Sequence, residues 1–186
     1  LAFSGKIVAS RQHNTELVNI FDTISERCAA LNQFLQSYIH FAKLPPPVLG
    51  RINWVQLVNQ LQDQYEFELV GDLPKLDWLA DQSQLTQLLL NILKNAHETG
   101  SSAEQILLHF NETPAQLQLV VQDQGGGLPQ EIMQHALLPF YTTKTGGSGI
   151  GLTLCRDIIE AHGGELQLQN KQGGLQVQIL LPRLSL

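Results

Sequence analysis

Between residues 10 and 43 there is no Pro or Gly, and apolar side chains recur at Leu17, Ile20, Ile24, Cys28, Leu31, Leu35, Tyr38, Ile39 and Ala42. Steps of three and four predict one long amphipathic helix, a rod of roughly 45 Å at 1.5 Å per residue. No later segment matches it. A stripe of that length calls for a partner helix, from a second chain or from sequence upstream of Leu1. Leu44-Pro45-Pro46-Pro47 ends the rod, because three prolines cannot continue a helix and favour a stiff, extended connection. The boundaries read as a helical segment over 1–44, a Pro-rich linker over 45–49 and a second domain over 50–186.

The second domain has a different texture. A short helix is expected over 53–64 and strands over 66–70 and 76–80. Asp81-Gln82-Ser83 can cap a helix over 84–98 that stops at Gly100. A strand pair follows, 105–111 and 116–122, turning through Thr113-Pro114. A short helix is expected over 130–136, irregular chain over 137–148, and a helix over 149–161 stopped by Gly163-Gly164. Residues 165–170 and 174–181 pair as a final hairpin around Lys171-Gln172-Gly173. Helices mixed with mostly antiparallel strands predict an α+β two-layer sandwich.

Composition narrows the functions open to such a domain. Hydrophobic residues make up 43% and charged residues 15%, an ordinary globular balance. The formal net charge of -6 gives no general attraction to nucleic acid or anionic lipid, so neither is expected as a partner. A bound polyanion must be held by a local site. Cys28 and Cys155 are far apart, in no metal-binding spacing, and fit packing positions in a reduced, cytoplasmic protein. No apolar run reaches the length of a membrane span. The chain opens at Leu1 without an initiator Met, which reads as a piece of a longer protein.

Three features carry chemistry. On the helix 84–98, Asn91 and Asn95 lie four apart and share a face. Asn is a mediocre helix former, and an amide oxygen is a hard, neutral ligand suited to Mg²⁺. Two solvated amides on an exposed face would look the same. Asp123-Gln124-Gly125-Gly126-Gly127 leaves an apolar strand. A carboxylate there can accept from the exocyclic amine of adenine, where guanine offers a carbonyl, and the glycines let backbone approach a flat ring. A plain Asp-Gly turn is the alternative. Gly146-Gly147-Ser148-Gly149-Ile150-Gly151-Leu152 opens a helix, whose free N–H groups suit phosphate, although the run also serves as a hinge. No Gly-Lys-Ser/Thr follows, so it is not a Walker loop. Between them, Phe140, hydroxyls and Lys144 form a segment that reads as a mobile lid.

The order of these features resembles the N, G1, F and G2 boxes of the gyrase, Hsp90, histidine kinase and MutL superfamily, over roughly residues 50–183. The details at 137–152, 158–164, Asn95-Ala96-His97-Glu98 and Phe41-Ala42-Lys43-Leu44-Pro45 are most similar to sensor histidine kinases of the nitrogen-regulation type. The resemblance implies a Bergerat-type ATP-binding fold behind the second helix of a dimerisation and phosphoacceptor hairpin. It implies Asn95 as principal Mg²⁺ ligand with Asn91 beside it, and Asp123 at adenine with Gly125 and Gly127 shaping the pocket. It further implies Phe140 in the lid, Ser148, Gly149, Ile150, Gly151 and Leu152 at the phosphates, and Lys144 closing over them. ATP and Mg²⁺ are the implied cofactors. A homodimer and a response regulator receiver domain are the implied partners, in a cytoplasmic domain whose parent can be anchored in the inner membrane.

Hydrolysing members of that superfamily carry a general-base Glu where Asn91 stands, and an amide cannot take a proton from water. The expected activity is therefore phosphoryl transfer to a protein histidine, with a hydrolysing ATPase or a scaffold that binds nucleotide poorly as the alternatives. Glu98 departs from the pattern, since many sensor kinases have a basic residue there, which leaves the roles of Lys94 and Lys144 open. None of His13, His40, His97, His109, His135 and His162 fits the family's acceptor motif. The acceptor is expected upstream of Leu1.

Overall fold

A computed structural model of the protein describes residues 15–42, 44–144, 147–171 and 173–184. The chain divides into two compact units. The first holds the helix α1 (Thr15–Ala42) together with Thr143, Lys144, Gly147 and Ser148. Within α1 the predicted stripe leaves Ile20, Ile24 and Leu31 exposed, and Thr23 turns its hydroxyl back onto the Asn19 carbonyl at 2.9 Å. The predicted helix residues 10–14 and 43 lie outside the described residues.

The second unit, residues 44–142 with 149 onward, is the sandwich. Strand β1 (Gly50–Arg51) leads into helix α2 (Trp54–Gln62), then β2 (Glu68–Val70) and β3 (Leu79–Ala80). Helix α3 (Gln82–His97) follows, then β4 (Leu107–Glu112), β5 (Gln116–Gln122), the short α4 (Gln130–His135), α5 (Gly151–Ala161), β6 (Glu165–Lys171) and β7 (Gly174–Pro182). The main sheet has the order β2-β4-β5-β7-β6, parallel only between β2 and β4. Strands β1 and β3 form a separate two-stranded ribbon.

Alternation in β5 and β7 sends Leu117, Leu119, Val121, Val177, Ile179 and Leu181 to one face, where all are buried. The apolar faces of α3 and α5 cover that side with Leu85, Leu88, Leu89, Ile92, Leu93, Leu154, Ile158 and Ile159, each almost fully buried. Each such aliphatic side chain contributes about 1.5–3 kcal/mol by leaving water. The other face of the sheet is largely amide-bearing, with Gln118, Gln122 and Gln178 half-buried.

Several predicted boundaries shift for local reasons. Helix α3 begins at Gln82, because the Asp81 carboxylate accepts from the Ser83 and Gln84 N–H groups at 3.0 and 3.1 Å and so caps two positions earlier than expected. Helix α5 begins at Gly151, two residues late, since Gly149 takes a left-handed φ of 65°. The predicted strand over 76–80 shrinks to its last two residues. The chain before it is tied instead by Glu112, whose carboxylate accepts from the N–H groups of Lys75 and Leu76 and from the Trp78 indole.

The Pro-rich connection is docked to the sandwich through side chains that local patterning does not flag. The Gln84 amide donates to the Pro45 carbonyl at 2.9 Å, and the Val48 N–H donates to the second Asp81 oxygen at 2.9 Å. From the far end of α5, buried His162 accepts the Asp81 N–H at Nε2 (2.9 Å) and donates from Nδ1 to the Ile158 carbonyl (2.7 Å). One imidazole thus joins the end of α5 to the start of α3.

Candidate nucleotide site

The two helices on the sheet are locked together by Cys155. Its thiol, fully buried on α5 one turn beyond Gly151, donates to the Leu88 carbonyl of α3 at 3.4 Å. Burial pushes the thiol up to about 12, while a hydrogen bond with the Asn91 side chain pulls in the opposite direction. Asn91 thus lies beside Cys155. One turn further along α3 comes Asn95, half-buried, with no side-chain hydrogen-bond partner among the described residues.

Helix α3 runs out at the loop that leaves β5. The Thr99 hydroxyl caps the Ala96 carbonyl at 2.7 Å, and a Cβ on Gly125 would collide with the Thr99 side chain. Beyond it, Ser101 Oγ accepts the Gln124 N–H at 3.3 Å. On its other side the same loop rests on the tip of the β6–β7 hairpin. The Asp123 N–H donates to the Leu175 carbonyl at 3.0 Å, and Asp123 Oδ1 accepts from Leu175 N–H at 3.1 Å and from Gly125 N–H at 2.9 Å. Asp123 is 4% exposed. Its Oδ2 has no hydrogen-bond partner among the described residues. A nearly buried carboxylate oxygen without a donor suits the amino group of a flat heterocycle.

Helix α5 starts without a side-chain cap, so its first N–H groups are unclaimed by side chains. Ile150 is buried beneath them, and Gly151 and Leu152 are half-exposed. The Phe140 N–H donates to the Gly149 carbonyl at 2.9 Å, which ties the chain before the helix to its start. Gly149 packs so closely that a Cβ there would lie 2.5 Å from the Phe140 carbonyl carbon. Phe140 itself adopts a φ of 64°, rare for a bulky residue, with its ring about half exposed.

The fold thus brings Asn91, Asn95, Asp123, Gly125, Gly127, Phe140, Gly149, Ile150, Gly151 and Leu152 into one unit. Lys144 and Ser148 fall in the other unit, with α1. Among the described residues no group of three or more His, Cys, Asp or Glu side chains could hold a metal ion. Asn91 and Asn95 offer neutral amide oxygens on α3. They fit a hard cation whose remaining ligands are phosphate oxygens and water. Asn170, Leu175, Ser101 and His162 are structural participants that local patterning did not single out, because their partners lie 23 to 81 positions away.

A mostly antiparallel sheet under paired helices is the α+β fold of histidine kinase catalytic domains. The chain belongs to the family described as histidine kinase-, DNA gyrase B-, and HSP90-like ATPase, whose model matches residues 80–185.

The chain is 26% identical over 174 residues to a putative sensor histidine kinase, NtrY-like, of Rickettsia bellii, with 88% of this chain and 28% of that protein covered. It is 36% identical over 103 residues to sporulation kinase C of Bacillus subtilis, covering 55% of this chain and 24% of that one. It therefore spans about a quarter of the length of these relatives. The catalytic domain of histidine kinase ThkA, in a nucleotide-free form, superposes with a TM-score of 0.61 at 26% identity, over 73% of this chain and 95% of the other.

Proposed function

We propose that this chain is the ATP-binding catalytic core of a sensor histidine kinase, transferring the γ-phosphate of ATP to a protein histidine for relay to an Asp of a response regulator. The observation that carries the reading is Asp123: a carboxylate 4% exposed, one oxygen engaged by two backbone N–H groups and the other without a partner. It would accept the adenine amino group and refuse guanine, which presents a carbonyl there. Asn95, with Asn91 beside it, would hold Mg²⁺, which supplies charge neutralisation across the β- and γ-phosphates when bound. Gly149, Ile150, Gly151 and Leu152 would present the first N–H groups of α5 to the phosphates.

No side chain in the site is needed as a base for water. In phosphoryl transfer the protein mainly positions the γ-phosphate and balances its charge. The exposed Ile20, Ile24 and Leu31 of α1 suit a homodimer through the helical segment, and the acceptor histidine would come from a first helix upstream.

Calorimetric titration of ATP and GTP, with and without Mg²⁺, tests the reading. ATP is expected to bind, more tightly with Mg²⁺, and GTP at least tenfold more weakly. Asp123→Asn should weaken ATP by roughly 10–100-fold, the scale of a hydrogen bond to a charged group. Absence of ATP binding by the wild-type chain sinks the proposal.

A further inference from the structure

We infer that Asn170, at the end of β6, is a positioning residue that sets the shape of the base-binding loop. The inference rests on the reading of Asp123 as the adenine acceptor. Asn170 and Leu128 are 42 positions apart, yet they are joined by a two-point clamp. Asn170 Oδ1 accepts the Leu128 N–H at 2.9 Å, and Asn170 Nδ2 donates to the Leu128 carbonyl at 2.7 Å. One planar amide thus takes both backbone groups of a single residue, as a neighbouring strand would. That saturates the backbone of the loop where it turns away from the site.

The clamp is one of three ties made by the same hairpin tip. The Gly126 N–H donates to the Gly173 carbonyl at 2.6 Å, and Leu175 brackets Asp123 through both its N–H and its carbonyl. Asp123, Gly126 and Leu128 are therefore held at every second or third position by residues 170–175. The fit is close enough to dictate residue types. A Cβ on Gly174 would run into the Asp123 carbonyl oxygen, and a Cβ on Gly127 would lie 2.5 Å from Asn170 Oδ1. Gly127 also has a φ of 73°. The loop carries few anchors of its own, since Gly125 and Gly126 have no side chains. Without Asn170 its outer half loses its only side-chain tether among the described residues, while Asp123 keeps both of its bonds to Leu175. The consequence expected is a looser wall opposite the Asp123 carboxylate, felt by the base and not by the phosphates.

The experiment uses the full chain, with ATP, GTP and inorganic triphosphate as probes, and follows Kd by calorimetry and Tm without ligand. Asn170→Ala should weaken ATP about tenfold, the scale two lost hydrogen bonds can carry. It should also narrow the preference for ATP over GTP and leave triphosphate affinity within about twofold. Asn170→Asp, which keeps the oxygen for Leu128 N–H and loses the donor, should fall between. Asn111→Ala is the matched control: it removes an amide-to-amide bond with Gln118 (3.0 Å) on the sheet away from the site and should leave all three affinities unchanged.

Wild-type affinity and preference in both Asn170 variants would overturn the inference. So would an equal loss for ATP and triphosphate, which marks general loosening of the domain. A wild-type chain that binds triphosphate but not ATP would overturn the reading of Asp123 itself, and this inference with it.

Discussion

At the scale of single residues, the same side-chain type does different work according to what surrounds it. Asp123 keeps one carboxylate oxygen without a partner, while Asp81 has both occupied, by Ser83, Gln84 and Val48. Burial opposes ionisation of the Asp81 carboxyl, but the hydrogen bonds from Ser83, Val48 and Gln84 outweigh it and hold its pKa below the usual carboxylate value of 3.8. A carboxyl whose folded pKa is depressed adds stability that is present above the unfolded pKa and is lost as pH falls through the folded one. Urea midpoints measured from pH 6 downward should therefore drop below about pH 4, and the drop should be shallower in Asp81→Asn. At pH 7, Asp81→Ala should cost about 1–2 kcal/mol through loss of the helix cap. An unchanged pH profile in Asp81→Asn would rule out the linkage.

At the scale of elements, the decisive contact is α3 against α5. Cys155 lies at its centre, buried and with its pKa raised to about 12, whereas Cys28 on α1 is exposed. Only the thiolate is a good nucleophile, and burial denies access as well. Iodoacetamide on the native chain should label Cys28 and spare Cys155, with Cys155 reacting only after denaturation. Mass spectrometry of the digested protein reads the outcome, and rapid native labelling of Cys155 would contradict the packing. Leu88, whose carbonyl receives the thiol, is fully buried. Leu88→Ala should destabilise the domain by about 2–5 kcal/mol through the cavity it leaves.

At the scale of the whole molecule, the sandwich is one compact unit, and the proposed nucleotide site draws on several of its elements. Nucleotide that binds only the folded form raises the apparent stability by about 2.7 kcal/mol at a hundredfold excess over Kd. For a domain of this size that is roughly 5–15 °C in Tm. The shift should appear with ATP and Mg²⁺ in a thermal melt and be largely lost in Asp123→Asn.

Much of this architecture was legible in the chain itself. Period-3.6 and period-2 patterning located the helices α1, α2, α3 and α5 and the strands β4, β5, β6 and β7, because burial on one face leaves a local repeat. Glycine runs marked the tight loops for the same reason, since positive φ and close backbone approach restrict residue type at the position where they occur. Strand β1 left no such mark, because two residues carry no period and its pairing depends on chain about 30 positions away, while β3 was legible only as part of a longer strand over 76–80.

What only the tertiary structure decided is how these pieces hold one another. Asn170 clamping Leu128, His162 joining Asp81 to Ile158, and Cys155 bridging to Leu88 each use an ordinary residue with an ordinary local context. Their partners are mostly backbone groups, which are chemically identical at every position, so no residue type announces them. Patterning along the chain determined which elements form and which residues are candidates for chemistry. Distances across the fold determined which of them meet, because a hydrogen bond depends on a separation of about 3 Å that patterning along the chain does not encode.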